Sequence, residues 1–300
     1  MTDQATVDRP AASAPAEARP GALRRYGSAL WLLRESKAAI IGITLIAFWL
    51  LAAVFAPVVS PYEPNGQDFA ALADPSPFQS THLLGTDHIG RDMLSRVLWG
   101  ARTVFTVAPI AVIAAYAAGI ALGMLAGYYR GWIDTLISRV SDIILSFPVL
   151  ILYIILITTF DPSAFNIVVA VVLAFSPGIG RIVRGLVLEL RSNEYVSAAQ
   201  IRGESGFFIM LVEILPNARG PLIVDACLRF GYTVITIGVL GFLGLGLPPP
   251  DPDWGGMVKE TTALMTIYPH MALIPSIALS SLVIGFNLLA DGLREISLRD

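Results

Sequence analysis

ELRSNEYVSAAQIRGESGFFIMLVEILPNARGP, residues 189–221, is a polar interruption between two long apolar runs. It keeps a helical order of its own. Residues 195–201 read as a short helix, Gly203 as its stop, Ser205 as the N-cap of a second helix and Pro216 as the end of that one. A structured polar insert between apolar runs points to a docking role for the pair of short helices.

The composition explains the flanking runs. With 55% hydrophobic and only 14% charged residues in 300, the chain has too little polar surface for an ordinary soluble domain and is expected to cross a membrane several times. The net charge of -3 therefore says little about partners; where the charges sit says more. The single cysteine, Cys227, lies in an apolar run, which leaves no disulfide framework or thiolate metal site within the chain. His82, His88 and His270 are scattered, with no ligand pair one helical turn apart, so no metal site is expected.

From the insert outward, six spans are expected, at 38–59, 103–127, 143–159, 166–183, 222–247 and 271–290, each near the roughly 20 residues that cross a hydrocarbon core. Residues 1–37 are an Ala/Pro-rich tail that turns basic, and 38–59 is an uncleaved first anchor. Residues 60–102 form an external loop with an interfacial helix, in which Met93, Leu94, Val97 and Leu98 face one way, Arg91, Asp92, Ser95 and Arg96 largely the other, and Trp99 suits headgroup level. The main transmembrane domain is 103–292, carrying the insert at 189–221; 293–300 is a short tail. In the second span Ala115, Gly119, Gly123 and Gly127 recur every fourth residue, a smooth stripe on which another helix can pack closely. Ser176, Pro177, Gly178 and Gly180 are expected to kink or break the fourth span, as a pathway hinge or a packing kink. The loop 248–270 carries Trp254 and Tyr268 as interfacial candidates and could dip into the membrane.

Six spans put both termini and the insert on one side. Arg9, Arg19, Arg24, Arg25, Arg34, Lys37, Arg130, Arg139, Arg181, Arg184, Arg191, Arg202, Arg219, Arg294 and Arg299 fall there, against Arg91, Arg96, Arg102 and Lys259 on the other. The positive-inside rule makes the first side cytoplasmic.

No catalytic residues are expected. A phosphate-binding loop needs Lys followed by Ser or Thr, and the two lysines precede Ala38 and Glu260. Neither a nucleophile elbow nor a zinc-protease helix is present. Asp225 and Arg229, one turn apart near the cytoplasmic start of the fifth span, read as a structural ion pair rather than a proton relay. Thr233 and Thr236 face a pathway or bond their own helix; Asn287 and Asp291 read as cap or hinge groups.

Within the insert, Ala198, Ala199 and Gly203, followed by Leu215 and Pro216, resemble the EAA loop of bacterial ABC importer permeases. Ser197 stands where the namesake Glu often sits, Glu213 replaces an apolar residue, and Arg202 adds a charge. GTDHIGRDMLSRVLWGAR, LGFLGLGLPPPDPDWGGM and FNLLADGLRE are similar to the second permease subunit of the peptide/nickel branch, in the expected order. The resemblance implies an all-α polytopic type I importer permease in a bacterial inner membrane. It also implies a coupling loop formed by Glu194, Tyr195, Ala198, Ala199, Arg202, Gly203, Leu215 and Pro216. The implied partners are a homologous permease, two ATPase subunits holding ATP and Mg, an extracytoplasmic binding protein and membrane lipid; no nucleic acid and no cofactor in this chain are expected. Di- or oligopeptides are the expected substrate. Nickel or another small solute is the alternative within the family, and an ion-gradient-driven secondary transporter the alternative outside it.

Overall fold

The computed structural model describes residues 36–78, 81–248 and 250–297; most of the N-terminal tail and the end of the C-terminal tail, with Arg9 to Arg34 and Arg299, lie outside the described residues. Among these the chain is helical, with two isolated antiparallel bridges, Gln67 with Arg91 and Thr86 with Asp92, in place of any strand. The helices are α1 Lys37–Val59, α2 Met93–Tyr129, α3 Gly131–Ser146, α4 Val149–Phe160, α5 Ala164–Leu190, α6 Glu194–Ile201, α7 Leu215–Leu243, α8 Trp254–Thr261 and α9 His270–Ser297. Between α6 and α7 lie a helical turn, Gly206–Phe208, and a π-helical turn, Ile209–Ile214. Five helical stretches are long and apolar enough to cross a membrane, six if the bent α3–α4 pair counts as one.

Close packing is concentrated where side chains vanish. The stripe of α2 lies on α5: a Cβ on Gly119 would stand 2.6 Å from that of Ile179, one on Gly123 2.5 Å from the Gly180 carbonyl oxygen, and one on Gly127 2.8 Å from the Val187 Cβ. Ala115 is fully buried in the same line. A four-residue repeat places these positions on one helix face, and without side chains the two backbones come near contact. Gly42 of α1 meets Gly285 of α9 in the same manner, and Gly292 meets Ala39, which holds the first and last helices antiparallel.

Four sequence expectations change. First, α2 is one helix of 37 residues rather than an interfacial helix and a separate span. Ser95 and Arg96 are buried instead of facing headgroups, because the 60–92 loop supplies polar partners for them.

Second, the third span is bent by 89° at Pro148. Phe147 is extended, as a residue before proline prefers, and cannot carry the helix through. The 12 residues of α4 reach about 18 Å, short of a hydrocarbon core of about 30 Å. The polar side of α3 instead pairs with α5, Asp134 with Arg184 at 2.5 Å and Asp142 with Arg181 at 2.8 Å.

Third, α5 runs unbroken through Ser176, Pro177, Gly178 and Gly180. Ser176, Pro177 and Gly180 are buried, the first and last against α2, whose packing holds the helix where its own hydrogen bonding is weakened.

Fourth, Pro216 does not end a helix. The preceding turn is π-wound, with the Leu215 N–H bonded to the Met210 carbonyl, so the chain passes a residue without an N–H and continues as α7. A wide turn relieves the proline of the bond it cannot make. Gly244, at φ +79°, then closes α7 in a left-handed cap.

Candidate functional site: the coupling loop and the opposite end

The coupling loop is built around α6. Val196 and Ala199 are buried against Val187, Ile209, Met210 and Ile214, whereas Glu194, Ala198 and Arg202 are exposed and Tyr195 is half-buried. Neighbours on a helix point about 100° apart, so of the two alanines one seats α6 and the other leaves its outer face flat. Gly203, at φ +80°, ends the helix: its N–H bonds the Gln200 carbonyl (3.0 Å) and the Glu204 N–H bonds that of Ala199 (3.2 Å). This double closure is a Schellman cap, and the left-handed residue in it favours glycine. Ser205 starts the next turn by accepting from the Phe208 N–H. Leu215 is half-buried beneath the π turn and Pro216 exposed.

The two charged departures from the family pattern meet each other. Arg202 lies 3.2 Å from Glu213 and 3.7 Å from Glu204, so the insert gains a small charged clasp across its two helices. The clasp is exposed and contributes modestly. More telling is what stays uncovered: Ile201, at the end of α6, is 87% exposed, whereas Phe207, 68% exposed, lies beside the apolar face of α2 at Ala117, Ala121 and Leu125.

The loop is fastened to the end of α2. Arg191 donates to the Gly127 and Tyr128 carbonyls at 3.4 and 3.0 Å, a cation on the negative end of a helix. Gly206 lies under Tyr128, where a Cβ would be 2.9 Å from the ring. The loop thus touches α2 through Arg191 and Gly206, α5 through Leu190 and α7 through the π turn.

At the opposite end the other matched stretches come together. Asp92 caps α2, accepting from the Ser95 N–H at 2.7 Å, and binds His82 at 2.9 Å. His82 also holds Asp68 at 3.4 Å, and this contact keeps the Asp68 carboxyl below its ordinary pKa. Asp87 takes the Ile89 and Arg91 N–H groups on one oxygen and the Arg91 guanidinium on the other, and Arg91 reaches on to Glu260 at 2.5 Å. Arg96 lies behind, 3.7 Å from Asp87 and 3.9 Å from Glu260. Asp87, His88 and Glu260 stand close enough to share a cation, but the Arg91 guanidinium already bridges the two carboxylates.

Trp254 is inside the bundle rather than at headgroup level. It packs on Gly100, donates to the Val97 carbonyl at 3.0 Å and meets Trp49 edge-on at 5.0 Å. Asp253 caps α8 through the Gly255 and Gly256 N–H groups, and burial pushes its carboxyl up to about 6 despite those bonds. Sequence reasoning gave Asp87 and Asp253 no individual role and named His82 only among three scattered histidines; the signal for the two aspartates was the GTD and DPDW strings, read only as resemblance.

Asp225 and Arg229 pair at 2.7 Å, and Tyr116 of α2 donates to the same carboxylate oxygen. They lie opposite Phe175 and Gly178 of α5, and α7 itself begins seven residues before the expected span. Thr233 and Thr236 are buried and bond the Arg229 and Tyr232 carbonyls of their own helix.

Residues 119–300 match the family described as binding-protein-dependent transport system inner membrane component, and 26–77 match the N-terminal TM domain of oligopeptide transport permease C. The chain is 38% identical to the dipeptide transport system permease protein DppC of Alkalihalophilus pseudofirmus, over 94% of this chain and 92% of that one. It is 35% identical to DppC of Haemophilus influenzae, covering 87% and 90%, and 39% identical to the glutathione transport system permease protein GsiD of Pectobacterium atrosepticum, covering 83% and 81%. With a helical, multi-pass body and a structured loop between α5 and α7, the chain belongs to the inner membrane components of binding-protein-dependent transport systems, the permease subunits of ABC importers, in which ATP hydrolysis belongs to separate subunits.

Proposed function

We propose that the chain is one of two homologous permeases of an importer for di- or oligopeptides, driven by two cytoplasmic ATPases that carry ATP and Mg and fed by an extracytoplasmic binding protein. The observation that carries this reading is the coupling-loop tip. Ile201, at the end of α6, is 87% exposed, the most open large apolar residue of the loop. An apolar side chain left this open on a polar element fits a protein contact. Ala198 and Gly203 leave a flat approach beside it, suited to a cleft on an ATPase. The relatives named for dipeptide and glutathione transport support a short peptide as cargo over nickel or another solute.

The insert end is the cytoplasmic one in this reading, with both termini beside it. Among the described residues Lys37, Arg130, Arg139, Arg181, Arg184, Arg191, Arg202, Arg219 and Arg294 are assigned to that end, against Arg91, Arg96, Arg102 and Lys259 at the other. ATP binding draws the ATPases together and moves α6 as a lever; Arg191 and the π turn pass that movement to α2 and α7. The coupling is a bias between two packings of the spans, not chemistry in this chain.

Reconstitution of the full assembly in liposomes tests it. ATP inside and a labelled dipeptide with binding protein outside should give uptake that stops when ATP is withdrawn. Uptake that persists on an ion gradient alone would end the reading.

A further inference from the structure

The amphipathic helix α3 is mounted the wrong way round for a surface element. At about 100° per residue, Asp134, Ser138, Ser141 and Asp142 share one face and Trp132, Leu136, Val140 and Ile143 the opposite one. A helix lying between a bundle and water turns its apolar stripe inward and its polar side out. Here the polar face looks onto α5, through Asp134 with Arg184 and Asp142 with Arg181, and the four large apolar side chains are 49–74% exposed. None of the 16 residues of α3 is buried.

The outward side of α3 thus suits lipid or protein, and the side suited to water is the inward one. Whereas the α2–α5 seam closes on glycines, α3 and α5 stand apart around an open cavity of about 210 Å³, whose lining includes Ser138, Ser141, Asp142, Pro177, Arg181 and Arg184. Asp134 and Arg184, joined by two parallel bonds of 2.5 and 2.7 Å, fasten one wall to the other. Asp142 and Arg181 do not seal the space: they meet through a single 2.8 Å bond and keep 57% and 60% of their side chains exposed. A helix rise of 1.5 Å per residue puts Arg181 about 13 Å before the end of α5, level with the exposed Ile143 that follows its partner Asp142. Charged groups at an apolar level of a membrane protein face water or protein rather than lipid.

We propose that the cavity between α3 and α5 is part of the water-filled, cytoplasm-facing stretch of the translocation path, with Ser141, Asp142 and Arg181 on its wall. The inference rests on the peptide-import reading above. In this arrangement α3 separates two media: its apolar row meets lipid or the homologous permease, and its polar row meets water and passing solute. The wall carries two carboxylates against two guanidinium groups, so a zwitterionic peptide finds a counter-charge for each terminus and no field that repels either.

The test uses the whole assembly in liposomes with Cys227, the single cysteine of this chain, replaced by serine. A charged, membrane-impermeant methanethiosulfonate is supplied on the ATPase side, and its addition is followed by the mass of this chain. Ser141→Cys should react about tenfold faster than Leu136→Cys on the opposite face of α3, because the reacting thiolate forms in water. Modification should then stop uptake of a labelled dipeptide in Ser141→Cys, each variant being compared with itself before treatment, and leave uptake in Leu136→Cys as it was. Equal reaction rates at the two positions would overturn the proposal. A modified Ser141→Cys that still imports would overturn it too, since the cavity would be wet but off the path. If Ser141→Cys fails to assemble, Ser138→Cys on the same face is read in its place. Failure of the import reading itself is seen separately, as an absence of peptide uptake by the unsubstituted assembly.

Discussion

The two ends of the bundle are built by opposite means. At the far end Asp87, Arg91, Arg96, Asp92 and His82 are buried and interlocked, and Trp254 is sewn to α2 through a backbone carbonyl. At the coupling-loop end the Arg202 clasp is exposed, and Ile201 at the end of α6 is left uncovered. A buried charged network is intolerant of losing one member, whereas an exposed lever loses little when altered. One end is fixed by its own contacts; the other, on the proposed reading, is completed by a partner.

The largest effect should come from the far end. Asp87→Ala strands two buried guanidinium groups, and thermal unfolding of the purified assembly should show a loss on the order of 3–5 kcal/mol. A loss no greater than that of an exposed substitution would dissolve the contrast. Close behind, Gly123→Val in the α2–α5 seam drives a side chain into the Gly180 carbonyl and the Val183 Cβ. A cost of about 1–3 kcal/mol, or failure to accumulate in the membrane, is expected.

Asp253 sharpens the comparison through pH. Its folded pKa, near 6, lies above the ordinary 3.8, so the folded form holds a proton that the unfolded form has released. The contribution of Asp253 to stability is therefore full below pH 4, declines as pH rises from about 4 to 6, and is level above, with a total change of about 2–3 kcal/mol. Asp253→Asn, which still caps α8, should flatten the unfolding profile over that window; an unchanged slope would assign the titration to another group.

At the coupling loop the effects on stability shrink. Gly203→Ala forces a side chain into a left-handed conformation and should cost about 1 kcal/mol, with Gly203→Asn milder, since nothing lies within 4 Å to clash. Ile201→Ala should change stability by less than about 0.5 kcal/mol. Yet it should weaken ATPase retention during purification severalfold, and undiminished retention would show that the exposed tip is not the contact. The smallest structural change is thus expected to have a large functional one.

Much of this protein was legible in the chain. Apolar runs must be spans because few partners other than lipid accept them, and a four-residue glycine repeat must lie on one helix face because of the helical period. Gly203 read as a helix stop because a left-handed cap is a local matter, settled by the residue itself. Tertiary structure decided what depends on neighbours. Pro177 and Pro216 look like breaks in isolation, but packing on α2 holds α5 through the first, and a π turn carries the chain past the second. Ser95, Arg96 and Trp254 look interfacial by composition, but their polar atoms find partners in loops distant in sequence, and a satisfied polar group can be buried.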